Sequence, residues 1–460
     1  MINKKTAEQA LGRALSTGGD FAEIFFEDTR KNQLGMIDGK IDIATTRRIH
    51  GAGVRIFKGL NCIYVFTNDT SASGLMRAAQ QAADAVGSAS GDKAVNLIRR
   101  TPVNIHEFAQ LPTDVPGKRR ADAVRASSMA AKDYSPEIVQ VRALLNEQVS
   151  DGAIYNTEGL MVQDQRVYSR LTTQAVASDG TENQTGFTGP GMLRGFELFD
   201  GIIDPAAGGR TAAEMAVTML HADFCPAGMM PVVIDGGFGG VLFHEACGHS
   251  LEATSVAFGN SEFCGKMGQQ VASPIVTAID DGTMPNEWGS SNIDDEGTPT
   301  TKLVLIENGI LKNYMIDKLN ARRMGMPVTG SGRRESYQYA PTSRMRNTYI
   351  APGSDDEAEI IASMEYGLYA KSMGGGSVNP VTGEFNFAVK EGFLVKNGRI
   401  DRPVRGASLI GKGGEVLMNI DRVGRKMWMA PGICGSASGS VPTNVGQPMI
   451  RIKKLTVGGR

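Results

Sequence analysis

Apolar residues recur at two different spacings along the N-terminal half of the chain. Recurrence every three to four residues is typical of helices with one buried face, and alternation of apolar and polar residues is typical of half-buried strands. The first spacing predicts helices at 5–17, 75–86, 116–132 and 210–221. The second predicts strands at 21–27, 33–37, 41–45, 51–57, 62–67, 147–155, 160–164 and 172–177.

Turn residues separate the predicted strands of the C-terminal half. Asn308-Gly309 and Asn397-Gly398 each lie between apolar runs, which is the strongest short-range signal for a β-hairpin. We therefore expect hairpins at 303–314 and 393–400. Residues 231–235 predict a short buried strand, and the sequence 354–357 predicts a capped helix that extends to about residue 370.

The predicted helices and strands are segregated along the chain and do not alternate regularly. This segregation favours an α+β fold with antiparallel sheets over a parallel βαβ fold. We expect an N-terminal α+β domain of α/β layers at 1–225, in which a subdivision near residue 113 is compatible with the pattern. A C-terminal, antiparallel, barrel-like β-rich domain is expected at 226–460, after a linker at 226–230.

The composition agrees with a cytoplasmic enzyme that binds neither nucleic acid nor membrane. The 48 basic and 49 acidic side chains give a net charge of −1, so charge provides no reason to bind either anionic partner. No apolar run approaches the roughly 18 residues of a spanning helix, and the N-terminus has no apolar signal core. The five cysteines form no C-x-x-C pair, which argues against a disulfide framework. The 57 glycines, above the usual share of about 7%, favour turn-rich β structure.

The segment His244–His249, with the sequence HEACGH, carries the candidate chemistry. Neutral imidazoles bind zinc, and a carboxylate such as Glu245 beside them can take a proton from a water that the metal activates. The histidine spacing is one residue longer than in the H-E-x-x-H helix motif. On a regular helix, positions i and i+5 diverge by about 140°. Both histidines can therefore bind one ion only if the helix widens or ends between them, and Gly248 is where such a break costs least.

A catalytic zinc site needs a third protein ligand and an open fourth position. The residues alone leave this ligand open among Glu252, Cys247, Cys264 and Cys434. Cys434 lies in a loop of small residues, 430–440, whose glycines allow the backbone to bring a thiolate close to an ion. A lone cysteine is nevertheless more often a small buried apolar residue than a ligand.

Several stretches of the sequence together resemble the TldD/PmbA family (peptidase family U62). The stretches are 242–252, 292–299, 306–311, 317–322 and the segment from Cys434 to Pro448. The resemblance extends over most of the chain. It implies that His244, His249 and Cys434 bind zinc and that Glu245 is the catalytic base, as in the active TldD-type members. PmbA-type members lack the metal motif, so this chain resembles the catalytic type.

The resemblance also implies a function. It implies a zinc-dependent peptidase that hydrolyses flexible or unfolded peptides in an enclosed cleft between paired subunits. The pair would be a homodimer or a heterodimer with a PmbA-like chain. Two alternatives stay open: a non-catalytic, PmbA-like partner subunit, which the intact motif argues against, and a thiol hydrolase that uses Cys434 with a histidine.

Three further features favour structural interpretations. The glycines at 236–240 are not followed by Gly-Lys-Ser/Thr, so we interpret them as close packing under the metal helix and not as a phosphate loop. The acidic stretch 292–296 lacks EF-hand spacing and is interpreted as a turn or as a wall of the substrate cleft. The arginines at 333–334 and 344–346 could hold a peptide carboxylate, but a solvated or structurally paired role is expected.

Overall fold

The computed structural model describes residues 1–87, 91–379 and 381–459. Within these ranges the helices are α1 (Lys4–Ala14), α2 (Ala72–Asp84), α3 (Gly117–Lys132), α4 (Pro205–Leu220), α5 (Val241–Phe243), α6 (Ala253–Val256), α7 (Lys318–Met324), α8 (Glu357–Ala362) and α9 (Gly413–Asn419). None of these helices is long and apolar enough to cross a membrane.

Long strands build the N-terminal half. The strands are β1 (Phe21–Ile37), β2 (Lys40–Lys58), β3 (Asn61–Thr67), β4 (Ile98–Arg100), β5 (Ile138–Asn156), β6 (Leu160–Ser178), β7 (Asn183–Thr188) and β8 (Gly191–Met192). They form one sheet in the order β3-β2-β1-β5-β6-β4, with β7 and β8 also paired to β6. Helices α1 and α2 pack on this sheet through residues such as Leu11, Ile24 and Leu75.

The sequence predicted several of these strands as two shorter ones, which is wrong. Predicted strands 21–27 and 33–37 are parts of β1, 41–45 and 51–57 are parts of β2, and 160–164 and 172–177 are parts of β6. Polar residues interrupt the apolar alternation in the middle of each strand. In β1, however, the polar stretch from Asp28 to Asn32 is paired on both sides, with β2 and with β5, so the ladder continues through it.

The C-terminal half contains two larger sheets. The strands are β9 (Asp223–Phe224), β10 (Gly228–Ile234), β11 (Ala278–Asp281), β12 (Lys302–Glu307), β13 (Ile310–Leu311), β14 (Gly332–Arg333), β15 (Thr342–Ser343), β16 (Asn347–Ile350), β17 (Tyr366–Val378), β18 (Glu384–Lys396), β19 (Arg399–Arg405), β20 (Ser408–Lys412), β21 (Ile420–Val423), β22 (Trp428–Ser436), β23 (Gly439–Gln447) and β24 (Ile450–Gly458). Five of them, β17-β10-β24-β20-β18, close on themselves because β18 also pairs with β17. The predicted α+β class with a barrel-like C-terminal region is confirmed.

The second sheet has the order β13-β12-β11-β16-β23-β22 and places the β22–β23 hairpin at its edge. The sheets are mostly antiparallel, as predicted, but β4–β6, β9–β19, β10–β17 and β16–β23 run parallel. The parallel contact between β16 and β23 matters for function because it brings the last part of the chain beside the histidine segment.

Three local predictions in this half need correction. The helix predicted at 354–370 is wrong beyond Ala362, since Asp356 caps the short α8 and Tyr366 begins β17, which pairs with β10 and β18. The linker predicted at 226–230 is wrong from Gly228 onward, because β10 starts there. The hairpin at Asn308-Gly309 is present, but its second strand ends at Leu311. The division at 225/226 stays a prediction.

Candidate metal centre

The histidine segment follows directly from strand β10. After Ile234 the chain makes a tight turn at Gly237–Gly240 and enters α5. Gly237 adopts a φ of 66°, which favours glycine. A side chain at Gly240 would place its Cβ 2.6 Å from the Gly446 backbone nitrogen, so only glycine permits this approach. The glycines therefore serve close packing, as the sequence predicted.

The helix widens where the histidine spacing requires it. Residues His244–Gly248 form a π-helical turn, and the His249 backbone N–H donates to the His244 carbonyl five residues earlier. The two imidazole rings consequently face one space, with their centroids 5.1 Å apart. The predicted widening of the turn between Glu245 and His249 is confirmed.

Gly248 has a different role from the one predicted. Its φ of −58° and ψ of −51° are ordinary right-handed helical values, so its backbone does not need glycine. A Cβ at this position would lie 2.2 Å from the sulfur of Met345, which is buried. Glycine is therefore needed for the close approach of Met345 and not to break the helix.

Cys434 joins the histidines from strand β22. Its Sγ lies 3.3 Å from Nε2 of His249. The ligand atoms of His244, His249 and Cys434 all lie within 4.8 Å of one another. Tetrahedral zinc with bonds of about 2.0 Å to nitrogen and 2.3 Å to sulfur would separate such ligands by about 3.5 Å. The three donors are close enough to hold one ion with small side-chain movements.

The side chains also fit a metal chemically. Nδ1 of His244 is buried and has no hydrogen-bond partner among the described residues. Burial, together with the nearby charges of His249 and Arg344, lowers the pKa of His244 well below its usual value, which keeps the imidazole neutral as a ligand must be. Two imidazoles and one thiolate form a donor set that suits zinc. The residues present therefore fit the predicted ion.

The other three candidates for the third ligand lie elsewhere. Cys247 is buried, and its burial raises the pKa of its thiol well above the usual value. Cys264 directs its sulfur to the Val256 carbonyl at 3.5 Å. Glu252 accepts a hydrogen bond from Nδ1 of His249 at 3.1 Å, so it holds the imidazole from behind. In the described parts of the chain, Cys434 is thus the candidate that meets both histidines.

Glu245 lies at the edge of the same space. One of its carboxylate oxygens is 3.8 Å from Nε2 of His249, and its side chain keeps 31% of its surface exposed. Burial raises the pKa of Glu245; the positive charge of His249 opposes this rise and the negative charge of Glu252 adds to it. A carboxylate with a raised pKa beside an open metal position has the properties of a proton acceptor.

Two positioning residues were not recognised as such from the sequence. The first is Glu252, whose bond to His249 fixes the ring orientation. Burial opposes a charge on His249, but Glu252 and the hydrogen bond with Cys434 together raise the pKa of this imidazole well above its usual value, so a bound metal ion would displace a proton from this ring. The sequence offered Glu252 only as a ligand.

Arg344 is the second positioning residue. It is fully buried and donates to the carbonyl oxygens of Cys434 and Gly439 and to Oγ of Ser438. Its Nε lies 3.9 Å from Oε1 of Glu252. One guanidinium thereby connects the hairpin that carries Cys434 with the carboxylate behind His249. No local pattern in the sequence predicts such a connection.

The three remaining histidines lie outside the metal centre. His50 contacts Thr70, His106 accepts from the Asn286 backbone, and His221 pairs with Glu137. The acidic stretch and the arginines noted in the sequence also form structural contacts. The Arg166 guanidinium and the Arg334 backbone N–H both donate to the Asp295 carboxylate. Arg346 pairs with Asp280 in the interior.

Family models match almost the whole chain. The model of the PmbA/TldA metallopeptidase C-terminal domain matches residues 227–459, and those of domain 1 and of the central domain match 22–86 and 111–220. A Haemophilus influenzae protein named metalloprotease TldD homolog is 36% identical over 96% of this chain and 93% of its own length. A Methanothermobacter thermautotrophicus protein named metalloprotease is 33% identical over 96% of each chain.

Solved structures share the fold. A Thermotoga maritima protein superposes with a TM-score of 0.81 at 22% identity and covers 99% of this chain and 100% of its own. TldE from Thermococcus kodakarensis gives a TM-score of 0.76 at 19% identity and covers 98% and 100%. These likenesses concern the fold, whereas the family models and the relatives above cover the sequence itself. On that evidence, the chain belongs to the PmbA/TldD metallopeptidase family.

Proposed function

We propose that this protein is a zinc-dependent peptidase that hydrolyses flexible or unfolded peptides. The observation that carries the proposal is the meeting of two imidazoles, one thiol and one carboxylate at a single site: His244, His249, Cys434 and Glu245. The names of the relatives, which call them metalloproteases, support a metal-dependent peptidase. Zinc is the more specific part of the proposal and rests on the donor set.

The proposed mechanism assigns one task to each residue. His244, His249 and Cys434 would hold the ion. When bound, zinc would supply Lewis acidity that polarises the scissile carbonyl and lowers the pKa of water. Glu245 accepts a proton at its carboxylate and then delivers it to the leaving amine nitrogen. The raised pKa of Glu245 makes its carboxylate a stronger proton acceptor than an ordinary carboxylate.

The substrate and assembly follow from the family resemblance. We propose that flexible peptides enter a cleft enclosed by two subunits, so that folded proteins are poor substrates. The partner would be a second copy of this chain or a PmbA-like chain. These points, and a cytoplasmic location, stay predictions.

Substitution of Glu245 tests the proposed function. Glu245→Gln should retain zinc and lose turnover of an unfolded peptide by about 10²–10⁴-fold, since it removes the general base. Glu214→Gln is the matched control, because Glu214 is exposed on α4. Metal content and hydrolysis rate are measured on both variants. Hydrolysis by Glu245→Gln at the wild-type rate would overturn the proposal.

One contact favours the thiol hydrolase as a second candidate. Cys434, His249 and Glu252 are arranged in a row, with 3.3 Å from Sγ to Nε2 and 3.1 Å from Nδ1 to the carboxylate, which resembles a thiol–imidazole–acid triad. This alternative gives no role to the unpartnered Nδ1 of His244.

Chelation separates the two candidates. A zinc peptidase loses activity with a chelator and regains it when zinc is added, and Cys434→Ser lowers its zinc affinity. A thiol hydrolase keeps its activity without metal and loses it on alkylation with iodoacetamide. Activity that survives complete removal of zinc would therefore favour the thiol mechanism.

A further inference from the structure

A cavity of about 500 Å³ lies between the N-terminal sheet and the C-terminal half. Side chains of β1, β2, β5 and β6 form one wall, and the β22–β23 hairpin contributes Ile433 and Val441 to the other. Val441 is the residue paired with Cys434 across this hairpin, and Ile433 precedes Cys434. The cavity therefore adjoins the strand that carries the proposed thiolate ligand.

Four of the cations that line this cavity lie in no ion pair with a described carboxylate. They are Lys31, Arg47, Arg170 and Arg333. Arg170 donates only to the carbonyl oxygens of Gly189 and Pro431, and Arg333 donates to carbonyl oxygens and one hydroxyl. Within the described ranges, none of the four cations forms an ion pair.

Lys31 and Arg47, the two of these cations that lie nearer the surface, are directly opposite each other in the sheet. Lys31 of β1 is paired with Arg47 of β2 in the strand register, so both side chains emerge on one face. Like charges in this arrangement destabilise a sheet. The neighbouring pair, Arg30 and Arg48, occupies the opposite face, and there Asp28 neutralises Arg48 at 2.6 Å. The pair that faces the cavity forms no ion pair of this kind among the described residues.

The carboxylates of the cavity wall each accept a hydrogen bond from another residue of the protein. Asp295, Glu147, Glu27 and Glu335 accept hydrogen bonds from Arg166, Arg120, the Tyr337 backbone and the Ser440 backbone, respectively. Burial raises the pKa of Glu147 to about 7, because desolvation outweighs Arg120, and it raises the pKa of Glu27. The cavity lining still holds six basic side chains against these four acidic ones, so positive charge is in excess.

The buried arginines remain charged. Desolvation lowers the pKa of Arg170 and Arg333 to about 10 in each case, which still leaves both guanidinium groups protonated at neutral pH. Arg333 is only 4% exposed. A buried charge without a counterion is costly, and a ligand anion would remove this cost.

We infer that this cavity binds a carboxylate of the peptide substrate, and this inference rests on the proposed peptidase function. The carboxylate is either the free C-terminus or an acidic side chain. Guanidinium groups suit it because their N–H pairs match the two oxygens of a carboxylate. The cavity adjoins the Cys434 hairpin, so a peptide anchored there would extend toward the metal centre.

Three labelled hexapeptides test the inference. The first has a free C-terminal carboxylate, the second is the same peptide amidated, and the third is the amidated peptide with one internal glutamine replaced by glutamate. The wild type should show a lower KM for the first or the third peptide than for the second. The peptide with the lowered KM identifies which carboxylate binds. Equal KM values for all three peptides would overturn the inference.

The double variant Lys31→Gln/Arg47→Gln removes the opposed pair without breaking any hydrogen bond or ion pair among the described residues. It should reduce the carboxylate preference about tenfold, as expected for loss of charge-assisted contacts. Arg30→Gln/Arg48→Gln is the matched control, since it removes two charges from the other face of the same strands. The inference fails if both double variants reduce the preference equally.

Direct binding separates the inference from the proposed function. Fluorescence anisotropy with the same peptides is measured on zinc-loaded Glu245→Gln protein. A carboxylate preference in binding, without hydrolysis by the wild type, would support the cavity and reject the peptidase. Hydrolysis of all three peptides with no preference in KM or in binding would support the peptidase and reject the cavity.

Discussion

Two buried polar clusters of this protein combine residues from distant parts of the chain, yet they are built in opposite ways. The first, here named the ion network, consists of Glu23, Arg55, Glu296 and Arg334. Arg55 lies 3.0 Å from Glu23 and 2.7 Å from Glu296, and Arg334 lies 2.9 Å from Glu23. The two arginine side chains are 1% exposed, and the two glutamate side chains are fully buried. Two guanidinium groups thus meet two carboxyl groups.

The metal centre lacks this balance. Its histidines and cysteine converge within 4.8 Å, and Nδ1 of His244 has no partner among the described residues. Buried polar groups in folded proteins are nearly always paired, so a group without a partner needs an explanation. The difference teaches that guanidinium and carboxyl groups in direct contact mark the ion network as structural, whereas two imidazoles and a thiol that converge on one space mark the metal centre as a place for a ligand.

Removing one histidine should give the largest effect. His244→Ala should lower zinc affinity by more than the 10–100-fold that is typical when only a supporting residue is lost. The chain should stay folded, because Nδ1 of His244 has no hydrogen-bond partner among the described residues. His221→Ala, which removes an exposed histidine, is the control. Zinc content is measured by mass spectrometry. Full zinc occupancy in His244→Ala would contradict this distinction between the metal centre and the ion network.

The ion network should respond in the opposite way. Arg55→Met leaves two buried carboxylates without their shared cation, which should lower the free energy of unfolding by about 3–5 kcal/mol. The protein that remains folded should still bind zinc. Arg77→Met, at an exposed pair with Asp69, should change the free energy by at most about 1 kcal/mol. Urea unfolding measures the free energy of both variants. Equal losses would show that burial of the ion network adds nothing to its contribution to stability.

Glu252 connects the two kinds of cluster, because it is a charged residue that supports a metal donor. Glu252→Gln should lower zinc affinity about 10–100-fold, as expected when the group that orients a ligand is weakened. Competition with a chromophoric chelator measures this affinity, with Glu214→Gln as the control. Unchanged affinity would mean that the π turn alone orients His249.

The metal donors were predictable where their signal is local. The spacing of His244 and His249, with Glu245 between them, predicted both the convergence and the widened turn. Cys434 is 185 residues from His249. The parallel pairing of β16 with β23 brings it there, and no spacing rule predicts such a contact. The residues alone therefore left four candidates, and only the family resemblance selected Cys434.

The fold was predictable to a similar extent. Asn-Gly turns identified both hairpins because the turn conformation depends on two residues. The helix expected up to residue 370 was wrong because β17 gains its stability from β10 and β18, which are distant in sequence. The continuous β1 was missed since its polar centre is stabilised by ladder partners on both sides. A structurally paired role was expected for Arg344, but its partners were not predictable for the same reason, since they come from 252 and 434–439.

The smallest expected effect concerns Gly248, which affects the metal centre only through its close packing against Met345. Gly248→Ala should weaken zinc binding several-fold, because its Cβ would meet Met345 at 2.2 Å and displace the turn that carries His249. Met345→Ala in the same chain removes the obstructing sulfur and should restore part of the affinity. Zinc affinities of the two single variants and the double variant form a thermodynamic cycle that isolates the coupling between the two positions. If the double variant binds zinc no better than Gly248→Ala, steric contact with Met345 is not what requires glycine at this position.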